Sequence, residues 1–399
     1  MGSRCRKVAR AAVKIALVAP CPTPFVVGGA QRLHWGWADY VNDHTPHMLE
    51  LLQLPSPEHD FFSLMSSYEC FYKLDLNHFD RVVSSKYPAW MVQHEDHQLY
   101  MLHPLRGLYD TYSGSREMNL QDSPFLSTRE LLALSEPQHV LSRAEVGGIF
   151  DLIHRINIGP KEERALFEFP GYLARRLVHS LDRFAMSSNR IKRFAALSTT
   201  VRLRANYFPV SAEVSVIHPP SNLSPKVSNK MLYFLASSRF DAPKRMELIV
   251  EAYKGTRTKI PLKLVGTGPT LERCKMLAGD DDRIEFLGFV SDSELLTLYA
   301  NAVAVIFVPQ DEDYGLITVE AFLAERPVIT ATDSGGPCEL VQDKVNGWIV
   351  QPTRPSLSDA ISEAGNDIER SRAMGVRGKA CAKSICWDAM GEWTTRSNQ

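Results

Sequence analysis

Short apolar runs alternate with longer amphipathic stretches through the second half of the chain. Runs rich in Val, Ile, Leu and Ala predict strands at 231–236, 262–265, 284–287, 303–308 and 328–331. The stretches between them predict helices at about 244–254, 269–278, 291–300 and 316–325. Regular alternation of strands and helices is typical of a doubly wound α/β domain, in which helices cover both faces of a parallel sheet.

The first half shows the same alternation less cleanly. Strand-like runs occur at 13–19, 48–52, 81–84, 99–103, 194–198 and 214–217, and helices are predicted at 28–41, 131–134, 144–156 and 199–208. These elements predict a second doubly wound domain, which an irregular elaboration at 113–165 interrupts. The segment His218-Pro-Pro-Ser-Asn-Leu-Ser-Pro225 has three prolines and no periodicity, so it is predicted to be a stiff linker. The predicted domains are therefore 1–222 and 223–383.

Bulk composition narrows the class of protein. The chain of 399 residues is long enough for two domains, and its net charge of −1 gives no general affinity for nucleic acid. No apolar run approaches the ~20 residues that a membrane-spanning helix needs, and the basic start of the chain lacks the apolar core of a secretory signal. Seven scattered cysteines without metal-ligand spacing indicate reduced thiols. We therefore expect a cytoplasmic protein.

Two glutamates, Glu312 and Glu320, lie eight residues apart across a glycine turn that opens a helix. The strand at 303–308 precedes this loop, and ligands of open parallel sheets bind outside the carboxyl ends of the strands. Gly315 lets the backbone approach a ligand closely, and the free N–H groups from Leu316 to Thr318 can hold an anion. The pattern predicts a site for a polar ligand that both carboxylates contact.

The sequence around these glutamates resembles the retaining glycosyltransferases of family four, which have the GT-B fold. Asp-Tyr-Gly stands between the glutamates, Ser334-Gly-Gly-Pro-Cys-Glu339 follows the next strand, and Arg239 and Lys244 match the R-x4-K pattern of the family. The resemblance implies two Rossmann-like domains that face each other across a cleft. The first would bind the acceptor and the second the nucleotide-sugar donor. The final helix, expected at 384–399, would return to the first domain.

The resemblance also implies roles for individual residues. Arg239 and Lys244 would stabilise the diphosphate that leaves as the glycosidic bond breaks. Glu312 would contact a hydroxyl of the donor sugar, and Glu320 would accept hydrogen bonds from the ribose. The remaining donor-binding candidates in this loop are Tyr314, Gly315 and Leu316. Attack would occur on the same face as departure, so the anomeric configuration would be retained.

Other candidates have plain structural alternatives. Gly266 belongs to a Gly-Thr-Gly turn and could serve shape alone, and Phe289, before Val290, could be a core residue rather than a neighbour of the base. The Gly28-Gly29 pair could bind a phosphate or simply precede a helix. His103, at the end of a strand-like run, would contact the donor sugar, with Arg106 or Asp110 nearby, although lone histidines are usually structural. The acidic run 279–282 is interpreted as a solvated loop rather than a metal site.

The sequence therefore predicts transfer of a hexosyl group from a nucleotide-diphosphate sugar, UDP- or GDP-linked, to a glycan, glycolipid or small-molecule acceptor. No metal or other cofactor is expected. A basic zone at 173–193 either contacts a membrane, as a lipid-linked acceptor at the inner membrane face would require, or buries its leucines and exposes its arginines. The alternative functions are a sugar-nucleotide epimerase and a catalytically silent sugar-nucleotide-binding or scaffold protein.

Overall fold

The computed structural model describes residues 12–24, 28–114 and 123–396, and in it the chain divides into two compact units. The first unit comprises residues 1–196, 202–216 and 390–399, and the second comprises residues 197–201 and 217–389. The first unit is thus built from three separate stretches of the chain.

The first unit is built on a six-stranded parallel sheet in the order β2-β1-β3-β4-β5-β6. Its strands are β1 (Lys14–Cys21), β2 (Met48–Pro55), β3 (Arg81–Ser84), β4 (His97–Met101), β5 (Ile191–Ala196) and β6 (Val214–Val216). The helices of this part of the chain are α1 (Gly29–His44), α2 (Phe61–Lys73), α3 (Leu126–Leu134), α4 (Arg143–Ile158), α5 (Lys161–Arg164), α6 (Tyr172–Ala185) and α7 (Thr199–Leu203). Residues 15–19 of β1 are fully buried, as expected for a strand covered on both faces.

The second unit contains another six-stranded parallel sheet, in the order β12-β11-β10-β7-β8-β9. Its strands are β7 (Tyr233–Ser237), β8 (Leu262–Val265), β9 (Ile284–Gly288), β10 (Ala302–Ile306), β11 (Val328–Ala331) and β12 (Gly347–Val350). Its helices are α8 (Met246–Lys254), α9 (Leu271–Ala278), α10 (Asp292–Ala300), α11 (Leu316–Leu323), α12 (Pro337–Leu340), α13 (Arg354–Asn366) and α14 (Ile368–Ala382). The predicted fold class, α/β with two doubly wound parallel sheets, is confirmed.

The last helix, α15 (Trp387–Thr395), contributes its final residues to the first unit. Its Thr394 accepts a hydrogen bond from Trp37 Nε1 at 2.9 Å on the hydroxyl, and one from Arg81 at 2.6 Å on the carbonyl oxygen. The Arg193 guanidinium lies 5.5 Å from the Trp393 ring. Of the predicted terminal helix, residues 384–386 precede α15, and 397–399 lie outside the described residues.

The basic zone predicted at 173–193 is not one helix, because α6 ends at Ala185 and β5 begins at Ile191. Within α6, Leu177 and Leu181 are buried. Arg175 donates from Nε to the carbonyl oxygen of Leu108 at 3.0 Å, and Arg176 pairs with Glu136 at 2.5 Å. The helix therefore buries its leucines and uses these two arginines in contacts inside the unit. None of the described helices is long and apolar enough to cross a membrane.

Candidate active site

The strand order of the second sheet fixes where a ligand would bind. Numbered within this unit from its first strand, the order is 3-2-1-4-5-6, which reverses between β7 and β10. In such sheets ligands bind outside the carboxyl ends of the strands at this reversal. The loops that leave the two strands there contain Arg239 and Lys244 after β7, and Glu312 after β10. The topology thus selects the same loops as the sequence motifs.

Lys244 and Glu312 meet directly, although 68 positions separate them in the sequence. The Nζ atom of Lys244 donates to Oε2 of Glu312 at 2.5 Å, and both side chains are largely buried, at 16% and 26% exposure. The Lys244 ammonium also lies 5.7 Å from the ring centroid of Phe307. Two predicted catalytic groups therefore form one ion pair at the switch point of the sheet.

Arg239 occupies the same loop but is not part of this ion pair. Its guanidinium pairs with Asp241 at 2.9 Å, and its side chain is 80% exposed. An exposed arginine can reorient at little cost, because a surface ion pair contributes only about 0–1 kcal/mol. Arg239 is therefore placed to turn toward an anionic ligand rather than held in one position.

Glu320 is a buried carboxylate, 8% exposed, in the second turn of α11. Its Oε1 atom accepts from the hydroxyl of Ser221 at 3.1 Å, and its Oε2 atom accepts from the hydroxyl of Tyr299 at 2.9 Å. These bonds fix the orientation of the carboxylate. An ionised carboxylate has about four acceptor positions, and these two hydroxyls use two of them.

The Glu312 backbone is held by the loop that follows β11. The N–H of Glu312 donates to Ser334 O at 3.0 Å, and the N–H of Gly336 donates to Glu312 O at 2.9 Å. Gly335 has φ +72°, and a Cβ there would lie 2.5 Å from Glu312 O. The Gly-Gly pair, which marked the family resemblance, thus supports the backbone of the loop that contains Glu312.

The remaining loop residues differ in how they are presented. Gly315 has φ +82° as the N-cap of α11, and a Cβ there would lie 2.6 Å from Phe307 Cε1. Leu316 is half-buried at the first helical position. Tyr314 is buried, with its ring stacked on that of His218 at 5.4 Å between centroids. The Tyr314 side chain is committed to the interior, so its predicted contact with the donor would involve the backbone.

Glu339 is a structurally central residue that the sequence analysis did not select. It accepts hydrogen bonds from Thr199 N at 2.8 Å, Thr200 N at 2.6 Å and His218 Nε2 at 3.0 Å. Burial alone would raise the pKa of Glu339, but these bonds outweigh burial and lower the pKa to about 2. A carboxylate in the Gly-Gly-Pro-Cys-Glu segment could have suggested a functional residue. Its partners could not be predicted, because they lie more than 100 positions away in the sequence.

A second ion pair, also missed, flanks Lys244 and Glu312. The Arg245 guanidinium binds Asp333 through two parallel hydrogen bonds of 2.7 and 2.6 Å. Asp333 lies just before Ser334, so the pair joins the β7 loop to the loop that supports Glu312. This pairing needed the strand order, since neither residue stands out in the sequence alone.

Gly266 and Phe289 follow the two strands beyond β7. Gly266 has φ +126°, and a Cβ there would lie 1.9 Å from Ser238 O, so the residue permits two loops to approach. Phe289 is 86% exposed, which rules out the core alternative for it, and Val290 is half-buried. Contact of Phe289 and Val290 with a nucleotide base stays a prediction.

His103 lies in the first unit, after the carboxyl end of β4. Its Nδ1–H donates to Pro104 O at 2.8 Å, and its ring centroid is 5.8 Å from that of Tyr87. Burial and the neighbouring Lys86 lower the pKa of His103 to about 3, so the imidazole is neutral at physiological pH. With Nδ1 protonated, Nε2 is left as an acceptor, which suits contact with a sugar hydroxyl.

Asp110, expected near His103, is occupied by other groups of the first unit. Its carboxylate accepts from Arg106 Nη2 at 2.7 Å and from the Tyr207 hydroxyl at 2.7 Å, and Arg204 lies 3.5 Å away. These contacts make it a structural anchor for its loop. Ligand contact by Arg106 or Asp110 stays a prediction.

Gly28 and Gly29 begin α1 in the first unit, with Gly28 as the N-cap. The N–H of Gly28 donates to Gln31 Oε1 at 3.1 Å, so this amide is already used by the helix. The residues at 25–27 lie outside the described residues. Binding of a phosphate by this glycine pair stays a prediction.

Acidic and sulfur side chains do not gather into an evident metal site. In the part of the chain that the structure describes, no group of three or more His, Cys, Asp or Glu residues could hold a metal ion. In the acidic run 279–282, Asp281 pairs with Arg283 at 2.7 Å instead.

Comparison with known proteins identifies the second unit. Residues 223–380 match the family model described as glycosyl transferases group 1. The alpha-1,3/1,6-mannosyltransferase ALG2 of Mus musculus is 25% identical over 202 residues, which are 46% of this chain and 48% of that protein. The O-antigen chain mannosyltransferase C of Escherichia coli is 26% identical over 148 residues, or 36% and 39% of the two chains. The matches thus span less than half the length of these relatives.

A solved structure supports the fold over nearly the whole chain. Sucrose-phosphate synthase from Thermosynechococcus elongatus aligns with a TM-score of 0.63 and 14% identity, covering 96% of this chain and 97% of that one. A sequence identity of 14% supports a shared fold but not a shared function. Residues 223–380 of this chain therefore match a group 1 glycosyl transferase domain, and the chain has the GT-B fold.

Proposed function

We propose that this protein transfers a hexosyl residue, with mannose as the first candidate, from a nucleoside-diphosphate sugar to a glycan or lipid-linked glycan, with retention of configuration. The Lys244–Glu312 ion pair at the switch point of the second sheet carries the proposal. In this pair Lys244 is the cation that would stabilise the departing phosphate, and Glu312 is the carboxylate that would accept from a sugar hydroxyl. Mannose is favoured because similar proteins are mannosyltransferases by name.

In this proposal the charges of the second unit act mainly on the leaving group. Negative charge grows on the diphosphate as the glycosidic bond breaks, and a preorganised ammonium stabilises it without reorganisation. Lys244 is held by Glu312, whereas the exposed Arg239 would add a fork of donors to the phosphate oxygens. These two cations would supply the positive charge, so the proposed reaction needs no metal ion.

The two carboxylates would have separate tasks. Glu312 would accept from a hydroxyl of the donor sugar and position its anomeric carbon. Glu320, oriented by Ser221 and Tyr299, would accept from the hydroxyls of the ribose. The neutral His103 imidazole would accept from another sugar hydroxyl through Nε2. The leaving phosphate would take the acceptor proton, so none of these groups acts as a nucleophile.

The first experiment is a binding panel followed by a transfer assay. The protein is melted with UDP, GDP, ADP, dTDP and CDP, and the sugars of the stabilising base are then offered with mannosylated glycan and polyprenyl-diphosphate glycan acceptors. We expect stabilisation by one nucleotide, because a ligand at about a hundred times its dissociation constant adds roughly 2.7 kcal/mol. Mass spectrometry then detects the new glycoside, and proton NMR reports its anomeric configuration.

The outcomes separate the alternatives. A glycoside of retained configuration supports the proposal, and an inverted product refutes the retaining mechanism. Isomerised or hydrolysed donor without any glycoside would favour the epimerase. Nucleotide binding without turnover of any donor would favour a scaffold protein.

A further inference from the structure

A cavity lies in the first unit, and none of the residues assigned to the candidate active site lines it. Its volume is about 780 Å³. Its walls come from the loop before α4, the carboxyl-terminal half of α6, the turn before β5 and the loop before β6. Arg190, on its wall, immediately precedes β5, whereas His103 follows the carboxyl end of the parallel strand β4. Arg190 therefore lies at the amino-terminal ends of the parallel strands, whereas His103 lies at their carboxyl-terminal ends.

The wall of this cavity is positively charged. Arg143, Arg183 and Arg190 line it, and no aspartate or glutamate is among the lining residues. Of the acids beside these walls, Glu136 pairs with Arg176 at 2.5 Å and Glu145 with His139 at 2.9 Å. The buried carboxylate of Asp182, next to Arg183, accepts hydrogen bonds from the side chains of Tyr68, Trp90 and Tyr109. Three cations without a facing carboxylate leave a field that attracts an anion.

In the described part of the chain, these three arginines are held by contacts other than ion pairs. Arg183 donates to the Ser180 hydroxyl at 2.8 Å, and the Arg190 guanidinium lies 3.8 Å from the Phe184 ring centroid. Among the described residues, neither Arg143 nor Arg190 has a carboxylate within ion-pair distance. Burial lowers the pKa of the Arg190 guanidinium; the nearby Tyr72 opposes this shift, and the charge of Arg143 adds to it. An anion bridging Arg143 and Arg190 would relieve this repulsion.

Apolar side chains at the same cavity are left in water. Val140 is 89% exposed and Val210 is fully exposed, and both line the cavity together with Phe208. Exposed apolar groups beside cations match a ligand that has an anionic head and an apolar body. The guanidinium of an arginine can also donate two parallel hydrogen bonds to the oxygens of a phosphate, which the ammonium of a lysine cannot do.

We propose that this cavity binds a phosphate ester carried on an apolar body, with Arg143 and Arg190 as the principal phosphate contacts. The ester is either the headgroup of a membrane lipid or a soluble molecule, and both share this chemistry. A neighbouring cavity of about 900 Å³ is lined by the same two arginines and also by Asp75 and Glu95.

The test uses two probes on the full chain. Binding of 1-naphthyl phosphate is measured by calorimetry, and co-sedimentation is measured with phosphatidylcholine vesicles that contain phosphatidic acid. The controls are 1-naphthol, which is uncharged, and plain phosphatidylcholine vesicles, whose zwitterionic headgroup has no net charge. Both probes are repeated on Lys244→Met, so that binding at the proposed donor site is excluded and failure of the donor proposal remains separate.

The variants are Arg143→Gln, Arg190→Gln and their combination, with Arg155→Gln as the matched control. Arg155 is an exposed arginine on the same helix as Arg143 and does not line the cavity. We expect the double variant to bind at least about tenfold more weakly, whereas Arg155→Gln binds as the parent does. Because Arg143 is exposed, its single variant keeps the test valid if loss of Arg190 impairs folding.

Each outcome either identifies the ligand as a lipid headgroup or a soluble phosphate ester, or shows that the cavity does not bind such a ligand. Binding of the vesicles alone identifies a lipid headgroup, and binding of naphthyl phosphate alone identifies a soluble ester. Absence of both interactions overturns the proposal, as does binding that the double variant and Arg155→Gln weaken equally. Equal binding of the 1-naphthol and phosphatidylcholine controls also overturns it.

Discussion

At the scale of single residues, the contact between Lys244 and Glu312 has the clearest consequence. We expect Lys244→Met to lower kcat by about 10²–10³-fold, the range seen when one preorganised group that stabilises developing negative charge is removed. Steady-state transfer with the donor chosen by the binding panel measures this. Lys344→Met is the control, because Lys344 also lies 2.5 Å from a carboxylate, that of Glu363, in the same unit. Equal losses in both variants would assign the effect to general stability.

The hydroxyl of Tyr299 makes a second residue-scale prediction. Tyr299→Phe removes a donor from the buried Glu320 carboxylate, which is then less firmly oriented. We expect about a tenfold loss of nucleoside-diphosphate affinity, equivalent to ~1.4 kcal/mol, a typical cost for one hydrogen bond to a charged group. Calorimetric titration measures it. Tyr233→Phe, which removes a hydroxyl that donates to Leu298 O at 3.2 Å, is the control. Unchanged affinity in Tyr299→Phe would show that Glu320 does not contact the nucleotide.

At the scale of elements, the loop after β11 acts as a support for the loop after β10. Gly335→Ala adds a Cβ 2.5 Å from Glu312 O in a left-handed backbone conformation, so Glu312 must move. We expect the substitution to lower kcat and to destabilise the unit by about 1–3 kcal/mol. Urea denaturation and the transfer assay measure the two effects.

Gly288→Ala provides the matched control for this prediction. Gly288 has a similar φ of +66°, but a Cβ there meets nothing within 4 Å. The Gly288→Ala variant is therefore destabilised only by the unfavourable backbone conformation and not by a steric clash. If both alanine variants retain the same turnover, the steric contact with Glu312 has no catalytic importance.

Sequence patterns predicted those elements whose apolar runs are bounded by clear turns. The strands at 262–265 and 328–331 have the predicted limits. The pattern missed β12, where Gly347-Trp-Ile-Val is short, and α13 and α14, whose apolar positions are sparse. It also extended the basic helix past Ala185, because the arginines on either side of the turn at 186–190 resemble one continuous face.

The site was predictable only where residue type and motif coincide. Lys244 and Glu312 were predicted to share a site because each lies in a motif of the family that the sequence resembles and follows a predicted strand. The structure shows that they are in contact, and their catalytic roles stay predictions. Glu339 and the Arg245–Asp333 pair were missed because their roles depend on contacts that the strand order creates. The sequence also did not predict that Phe289 is exposed, because an apolar residue beside a predicted strand is usually buried.

At the scale of the whole molecule, α15 supplies residues to a unit that begins near the other end of the chain. Ending the chain after Cys386 would remove the hydrogen bonds that Trp37 and Arg81 donate to Thr394, while Arg81 would keep its ion pair with Asp96. We expect faster amide hydrogen exchange in β1 and β3 with unchanged exchange in β10. Exchange measured by mass spectrometry tests this, with Thr394→Ala as a milder variant. Equal acceleration in β10 would show that the deletion acts on the entire chain.

The discontinuity of the first unit also sets an order of events during synthesis. Chains emerge from the ribosome from the amino end, and domains generally fold in that order. Here β1 to β6 emerge before most of the second unit, but the Thr394 that bonds Trp37 and Arg81 is made after the second unit. The second unit, whose long stretch ends at residue 389, has all of its residues available before the first has its own. The first unit of this protein is therefore the last to be completed.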